Sequence, residues 1–457
     1  MILSAVAGLM EGAMSREGLF EDLPEARGPQ ASKSAGEVRL REPVRDQIEL
    51  RAVDLDGLIG EDHPARVIWA YVATLDMSEL EDTVRARTHT PGQAPASPRL
   101  LLALWLYATS QGVGSARALA RLCQSHDAYR WLCGGVSVNY HGLADFRTAH
   151  PALLDRLLSE NVAALSAAGV IDLDEVVQDG VRVRACAGAA SFRRKKTLHK
   201  ELKKARRLVE RLKRESEDDP DASNRRIGAA RQRAARMRQQ RVEAALAKHA
   251  ELEVERKRRE TTNKKEVARQ KSPRASTTDP EARVMKMADG GFRPAYNCQV
   301  TSAGGGEIVI DIAATSSGSD RGLMRPALDR LAGRYRRMPR RHLVDGGFHK
   351  NEDIEWAAER GVKVYGSPGR TRHGTDPYAP RPDDGPGVAA WRRRMKSAHG
   401  KGVYRRRARG ELPNARFRQG SLRQFTVRGL AKIITVLHYF ALANNILAGH
   451  RLTAAAT

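Results

Sequence analysis

Cysteine is scarce. The four in 457 residues, Cys123, Cys133, Cys186 and Cys298, are scattered and show no CxxC spacing. That excludes a disulfide framework and a zinc site, and leaves small buried residues in a reducing compartment. Also missing are a Walker loop, a dinucleotide fingerprint and a nucleophilic triad with usable spacing. Long hydrophobic runs are few. The longest, Ile433 to Leu447, carries His438, Asn444 and Asn445 and is short for a bilayer, so a buried helix is expected. The opening MILSAVAGLM lacks a basic n-region and meets Glu11 at once, which makes a poor secretory signal. Acidic residues are the other shortage: 54 Asp and Glu face 79 Lys and Arg, a formal charge of +25. A field that positive calls for a polyanion, and nucleic acid is the commonest one large enough. An acidic small molecule would not need charge spread so widely.

What is present divides the chain. Residues 1–45 mix Gly, Pro, Ser and both charges without periodicity and read as a loosely ordered segment. Residues 46–168 turn helical: Ser97 through Gln111 has a Ser cap, Pro in the first turn and dense apolar content, and Asp145 to Ser166 is amphipathic. This is an all-helical domain, either a DNA-binding bundle or a purely structural one. From residue 169 the pattern alternates. Glu175 to Ala185, Tyr296 to Ser302, Glu307 to Ala314, Arg341 to Val344 and Val362 to Tyr365 read as strands, with helices at Asp320 to Tyr335, Asn351 to Arg360 and Tyr404 to His450. The fold class expected for 169–451 is α/β, with the element order of a ribonuclease-H-like domain.

One segment does not fit a compact sheet. Residues 192–275 hold 29 basic and 13 acidic side chains, a net +16. Leu198, Leu202, Leu208, Val209 and Leu212 keep helical spacing, as do Val242, Ala245, Leu246, Leu252 and Val254, with a Pro-containing turn at Asp218 to Asn224. A basic hairpin of two helices is expected, an arm able to lie along phosphates without reading sequence; the plainer alternative is a solvated linker.

Phosphodiester cleavage by divalent metals needs oxygen ligands converging from separate elements. Asp179 lies within the first strand, Asp345 ends a later strand before two glycines, and Glu411 lies in the final helical region. Asp172 and Asp174 compete with Asp179, while Asp289 in ADGG is more naturally a turn residue. His349 and His141 suit structural or DNA-contacting roles, and Trp105 and Trp131 suit the core. The run His373 to Gly387 reads as a mobile loop.

The spacing Tyr404-x-x-Arg407-x-x-x-Glu411, followed by Arg418, resembles the Tyr-Arg-Glu-Lys signature of bacterial insertion-sequence DDE transposases. Tyr129 to Gly135, His141 to His150, Ser276 to Val300 and the closing Leu422 to Leu447 resemble the same family, so the likeness spans roughly residues 46 to 451. The resemblance implies that Asp179, Asp345 and Glu411 are catalytic and hold Mg²⁺ or Mn²⁺, and that Tyr404, Arg407 and Arg418 contact DNA. It further implies double-stranded DNA as partner, a homodimer or higher assembly on it, and a cytoplasmic, nucleoid-associated protein. The chain departs from the pattern twice: Arg418 replaces the Lys, and Pro413 stands two residues after Glu411, where the helix must either start near Leu412 or hold Glu411 less firmly. The competing expectation is a non-enzymatic DNA-binding protein descended from such a transposase. A coiled-coil or RNA-binding protein built around the arm would leave the ordered carboxylates unexplained.

Overall fold

The computed structural model describes residues 52–84, 86–87, 94–218, 225–262, 272–369 and 375–456. The expected loose segment 1–45 lies outside them, as do most of the Asp218 to Asn224 turn and the start of the His373 to Gly387 loop. Residues 53–457 form one compact unit.

Seven helices come first: α1 (Pro64–Ala73), α2 (Ser78–Glu81), α3 (Pro98–Ser110), α4 (Ala116–Ser125), α5 (Asp127–Cys133), α6 (Tyr140–Ala149) and α7 (Pro151–Ala167). Their starts are local chemistry. Ser97 accepts from Arg99 N at 3.2 Å ahead of Pro98, and Asn139 accepts from Gly142 N at 2.7 Å, each satisfying a free N–H of the first turn. The amphipathic stretch Asp145 to Ser166 falls on two helices. Pro151 cannot continue α6 and opens α7, with His150 at ψ 58 between them. Helix α3 buries Leu102 through Thr109 without a break, so it is the centre of this layer rather than a surface helix.

The sheet follows. Strands β1 (Glu175–Arg184), β4 (Arg283–Lys286), β5 (Phe292–Ala303), β6 (Val309–Thr315), β7 (Arg341–Val344) and β8 (Lys363–Tyr365) form it, in the order β4-β5-β1-β7-β8, with β6 also pairing β5. The pairs β1/β5, β5/β6 and β4/β5 are antiparallel, whereas β1/β7 and β7/β8 are parallel. Short strands β2 (Phe192–Arg193) and β3 (Ala275–Ser276) pair separately and clamp the root of the arm. The arm is α8 (Lys195–Asp218) and α9 (Arg225–Thr262). Lys195 pairs with Glu253 near the root and Gln232 donates to Leu212 O further out, a register that runs the helices antiparallel. Leu198, Ala245 and Ala275 make a small core at its base. The remaining helices are α10 (Met324–Tyr335), α11 (Asn351–Glu359), α12 (Pro386–Lys396), α13 (Ala398–Arg405), α14 (Glu411–Gln419) and α15 (Leu430–Ala456).

The apolar run at Ile433 belongs to α15, whose 27 residues make it longer than the run alone indicated. By length and composition it is able to cross a membrane, yet it packs against α7, α3, α1 and β6, and its Ile433, Leu437, Ala441 and Leu442 are wholly buried. Its polar residues have internal partners. Asn445 accepts from Val309 N at 2.8 Å and donates to Val309 O at 2.7 Å, satisfying the backbone of β6. His438 meets Asp155 of α7, which also takes Arg334 of α10. The hydrogen bond from His438, outweighing burial, brings Asp155 to a pKa of about 2. Through these contacts the helical layer and the sheet share one hydrophobic core.

Candidate active site

Side chains of β1 alternate between two faces. Gln178, Gly180 and Arg182 share one, where Gln178 donates to Gln299 at 2.9 Å and Arg182 to Asp320 at 3.1 Å. A Cβ at Gly180 would lie 2.7 Å from Asp320 Oδ1 and 2.8 Å from Gln299 Nε2. The glycine of the Asp-Gly pair therefore makes room for a polar layer beneath the sheet. Asp179 lies on the other face with Val177. Its carboxylate accepts from Gly180 N at 2.9 Å and from Asn414 Nδ2 at 2.8 Å. Burial raises its pKa, with Glu411 adding to the rise. The two hydrogen bonds and the charge of Arg407 only partly offset it.

Val344, the last residue of β7, is in register with Gln178 of β1. Asp345 thus leaves the end of β7 at the level where the neighbouring strand carries Asp179. Asp345 is exposed and accepts from Gly346 N at 2.9 Å and Tyr404 OH at 3.5 Å. Gly346 is needed because a Cβ there would meet Ser367 O at 2.7 Å.

The third carboxylate arrives on a different path from that expected. Tyr404 to Arg418 is not one helix: α13 ends at Arg405, a 3₁₀ turn spans Arg406–Gly410, and α14 begins at Glu411. Tyr404 and Glu411 therefore sit on separate elements, while Glu411 and Arg418 lie seven residues apart on one face of α14. Pro413 falls in the first turn of α14, where an N–H would have no helical partner, so it neither breaks nor bends the helix. The turn is held from two sides. A Cβ at Gly410 would lie 2.6 Å from Val177 Cγ1, and one at Gly306, where φ is +80°, would lie 2.4 Å from Arg409 O. The β5–β6 tip and β1 thereby fix the backbone just ahead of Glu411. The Glu411 side chain is 64% exposed and stands 3.8 Å from Arg407, whose guanidinium is 5.9 Å from the Tyr404 ring. Arg418 is exposed.

The donors are hard oxygens suited to Mg²⁺ or Mn²⁺, and Asp179 is a half-buried carboxylate with no cation at hydrogen-bonding distance, so the donor chemistry fits a divalent ion. As they stand, the side chains do not close on one point: among the described residues no three His, Cys, Asp or Glu groups are near enough to hold a metal ion.

The competing residues have other partners. Asp174 pairs with Arg337 and Arg340, and Asp172 accepts from Asp174 N. Asp289 is an exposed turn residue paired with Arg293. His349 approaches Ser367 O at 3.3 Å and packs edge-on against Trp391, with burial lowering its pKa. His141 is exposed beside Tyr140. Trp105 is fully buried, whereas Trp131 is only half-buried and donates to Asp56 at 3.0 Å. The residue that sequence reasoning passed over is Asn414. Its only signal is its place three residues after Glu411, on the same helix face.

Residues 53–149, the segment from the first described turn through α6, match the family Transposase domain (DUF772). The matched segment is the helical layer up to α6, without α7, and does not include Asp179, Asp345 or Glu411. No curated protein and no solved structure matches the chain. The family match supports a transposase.

Proposed function

We propose that the chain is a DDE-type DNA transposase, in which a ribonuclease-H-like sheet presents Asp179, Asp345 and Glu411 to the end of an insertion sequence. The observation that carries this reading is the register of β1 with β7, which pairs Gln178 with Val344, the residues just before Asp179 and Asp345, while Gly410 packs against Val177 ahead of Glu411. The ribonuclease-H-like reading is supported by three antiparallel strands, β6, β5 and β1, continued by parallel β7 and β8. Asp179 and Asp345 would hold the divalent ions and Glu411 would complete the set. When bound, such ions activate water or a 3′-hydroxyl and stabilise the departing oxygen.

The protein's own groups have distinct tasks. Asn414 and Gly180 N orient the Asp179 carboxylate, and Tyr404 steadies Asp345. Arg407 and the exposed Arg418 would meet phosphates near the reacting bond. The helical layer and the arm would grip the terminal inverted repeats of double-stranded DNA, and paired processing of two ends calls for a dimer or larger assembly on DNA.

The test uses purified full-length protein, labelled duplexes carrying the inverted repeats that flank the gene, and Mg²⁺ or Mn²⁺. Wild-type protein should nick the transposon end and join its 3′-hydroxyl to target DNA. Asp345→Asn should bind the same duplex and leave it uncut; equal cleavage by that variant would refute the assignment. Tight binding without divalent-dependent cleavage by the wild type would identify a non-enzymatic DNA-binding protein instead.

A further inference from the structure

Glu175 opens β1 and is buried, and two arginines meet it from separate elements. Arg406 Nη2 donates to its Oε2 at 2.6 Å, and Arg341 Nη1 donates to the same oxygen at 3.2 Å. Each of these residues stands a short way ahead of one of the site carboxylates. Glu175 precedes Asp179 by four residues on β1, Arg341 precedes Asp345 by four along β7, and Arg406 precedes Glu411 by five through the 3₁₀ turn. The ion triad therefore joins the three elements that deliver Asp179, Asp345 and Glu411, at a level about 13 Å of strand before them.

Two of those elements are already tied together. Glu175 and Arg341 are in register in the parallel ladder, so the backbone holds β7 to β1. The 3₁₀ turn lies outside that ladder. Its start is held by Arg406 on Glu175 and its end by Gly410 on Val177, while Arg409 Nη1 donates to Gly304 O at 3.3 Å between them. Gly304 in turn closes over Glu175, where a Cβ on the glycine would lie 3.1 Å from Glu175 Cβ. A buried ion pair adds little net stability, because taking both charges out of water offsets their attraction; its best-attested use is to fix one arrangement among several. Arg406 is half-buried and its Nε is shut off from solvent without an acceptor, a penalty that the contact of Nη2 with Glu175 has to offset.

We propose that Glu175 and Arg406 are positioning residues, which set the 3₁₀ turn and through it the place of Glu411 relative to Asp179 and Asp345. This rests on the reading of the three carboxylates as the metal-holding set, and adds to it the pair that registers the third carboxylate to the other two.

The test uses full-length protein carrying Glu175→Gln, Arg406→Met, or Glu175→Met together with Arg406→Met. The melting temperature without DNA, its rise on titration with Mn²⁺, and Mn²⁺-dependent cleavage of a labelled transposon end are measured for each. Glu175→Gln leaves two arginines without their counter-charge and should melt below wild type. The double variant removes both members of the pair and should regain most of the lost melting temperature. In all three variants the Mn²⁺ needed for half the thermal rise, and for half-maximal cleavage, should increase by about 10-fold, the lower end of what supports of a metal ligand contribute. A double variant that regains wild-type Mn²⁺ dependence along with its stability would make the pair a structural contact only and overturn the proposal. Unchanged Mn²⁺ dependence in the single variants would overturn it too. Wild-type protein showing neither a thermal response to Mn²⁺ nor cleavage would overturn the metal reading itself, a result distinct from variants that match a metal-responsive wild type.

Discussion

The side-chain amide of Asn414 donates to Asp179 across 235 residues of sequence, at 2.8 Å. It ties the first turn of α14 to the middle of β1, so the helix that begins with Glu411 and the strand that carries Asp179 are held together. Asn414 is itself buried, and its Oδ1 has no partner, which leaves the donor side as its function.

Replacing it should therefore disturb the site without disturbing the fold. Residues that orient a metal-binding carboxylate typically contribute about 10–100-fold in metal affinity or activity. Asn414→Ala is expected to lower divalent-dependent strand cleavage by about that factor, with a higher metal requirement and unchanged duplex binding. Cleavage titrated against Mg²⁺ checks this, and a wild-type titration curve would show that Asp179 needs no such support.

Asp179 itself should oppose stability. Its folded-state pKa is raised, chiefly by burial, so the folded protein binds more protons than the unfolded chain between the ordinary carboxylate range and the raised value. Its contribution is thus greatest at low pH and falls as pH rises through that window. Asp179→Asn removes the slope, and its melting temperature should exceed that of wild type at neutral pH while cleavage is lost. Mg²⁺ should narrow the gap by stabilising only the wild type. Calorimetry at several pH values decides the matter, and a variant less stable than wild type at pH 7 would contradict it.

His342 gives the opposite slope. It lies wholly buried on β7 with neither ring nitrogen bonded, and burial lowers its pKa to about 3. The unfolded chain takes up a proton there as pH falls below the ordinary histidine value, and the folded protein does not. Stability is lost on acidification from about pH 6.5 towards 3, by at most about 1.4 kcal/mol per pH unit. His342→Leu removes that loss and a desolvated polar ring, so acid unfolding should shift to lower pH with cleavage at neutral pH intact. An acid transition identical to wild type would exclude His342 as its source.

Gly306 tests how the 3₁₀ turn is held. At φ +80°, with Arg409 O in the place of a side chain, Gly306→Ala meets both backbone strain and a clash. A cost of about 1–3 kcal/mol is expected from the strain alone. Gly305→Ala has nothing within 4 Å and serves as the control. Comparing the melting temperature and cleavage rate of the two variants checks the prediction; equal behaviour would mean the β5–β6 tip does not hold the turn ahead of Glu411.

The sequence by itself determined the charge, the caps and the periodic elements. Ser97 before Pro98, the alternating valines of β1 and the leucine spacing of the arm act through neighbours a few residues away, and such short-range preferences are written in local order. Tertiary structure decided what local order does not encode. The register of β1 against β7 brought the end of β7, just ahead of Asp345, level with the residue before Asp179, and packing brought Glu411 near enough to raise the Asp179 pKa. Packing of Gly410 on Val177 and of Gly306 on Arg409 turned an expected helix into helix, 3₁₀ turn and helix. Strands β2, β3 and β4 carry no apolar run or alternation of their own and are fixed by the partners alongside them. The meeting of Asn414 with Asp179 joins segments 235 residues apart, and only close packing of the chain brings such segments together.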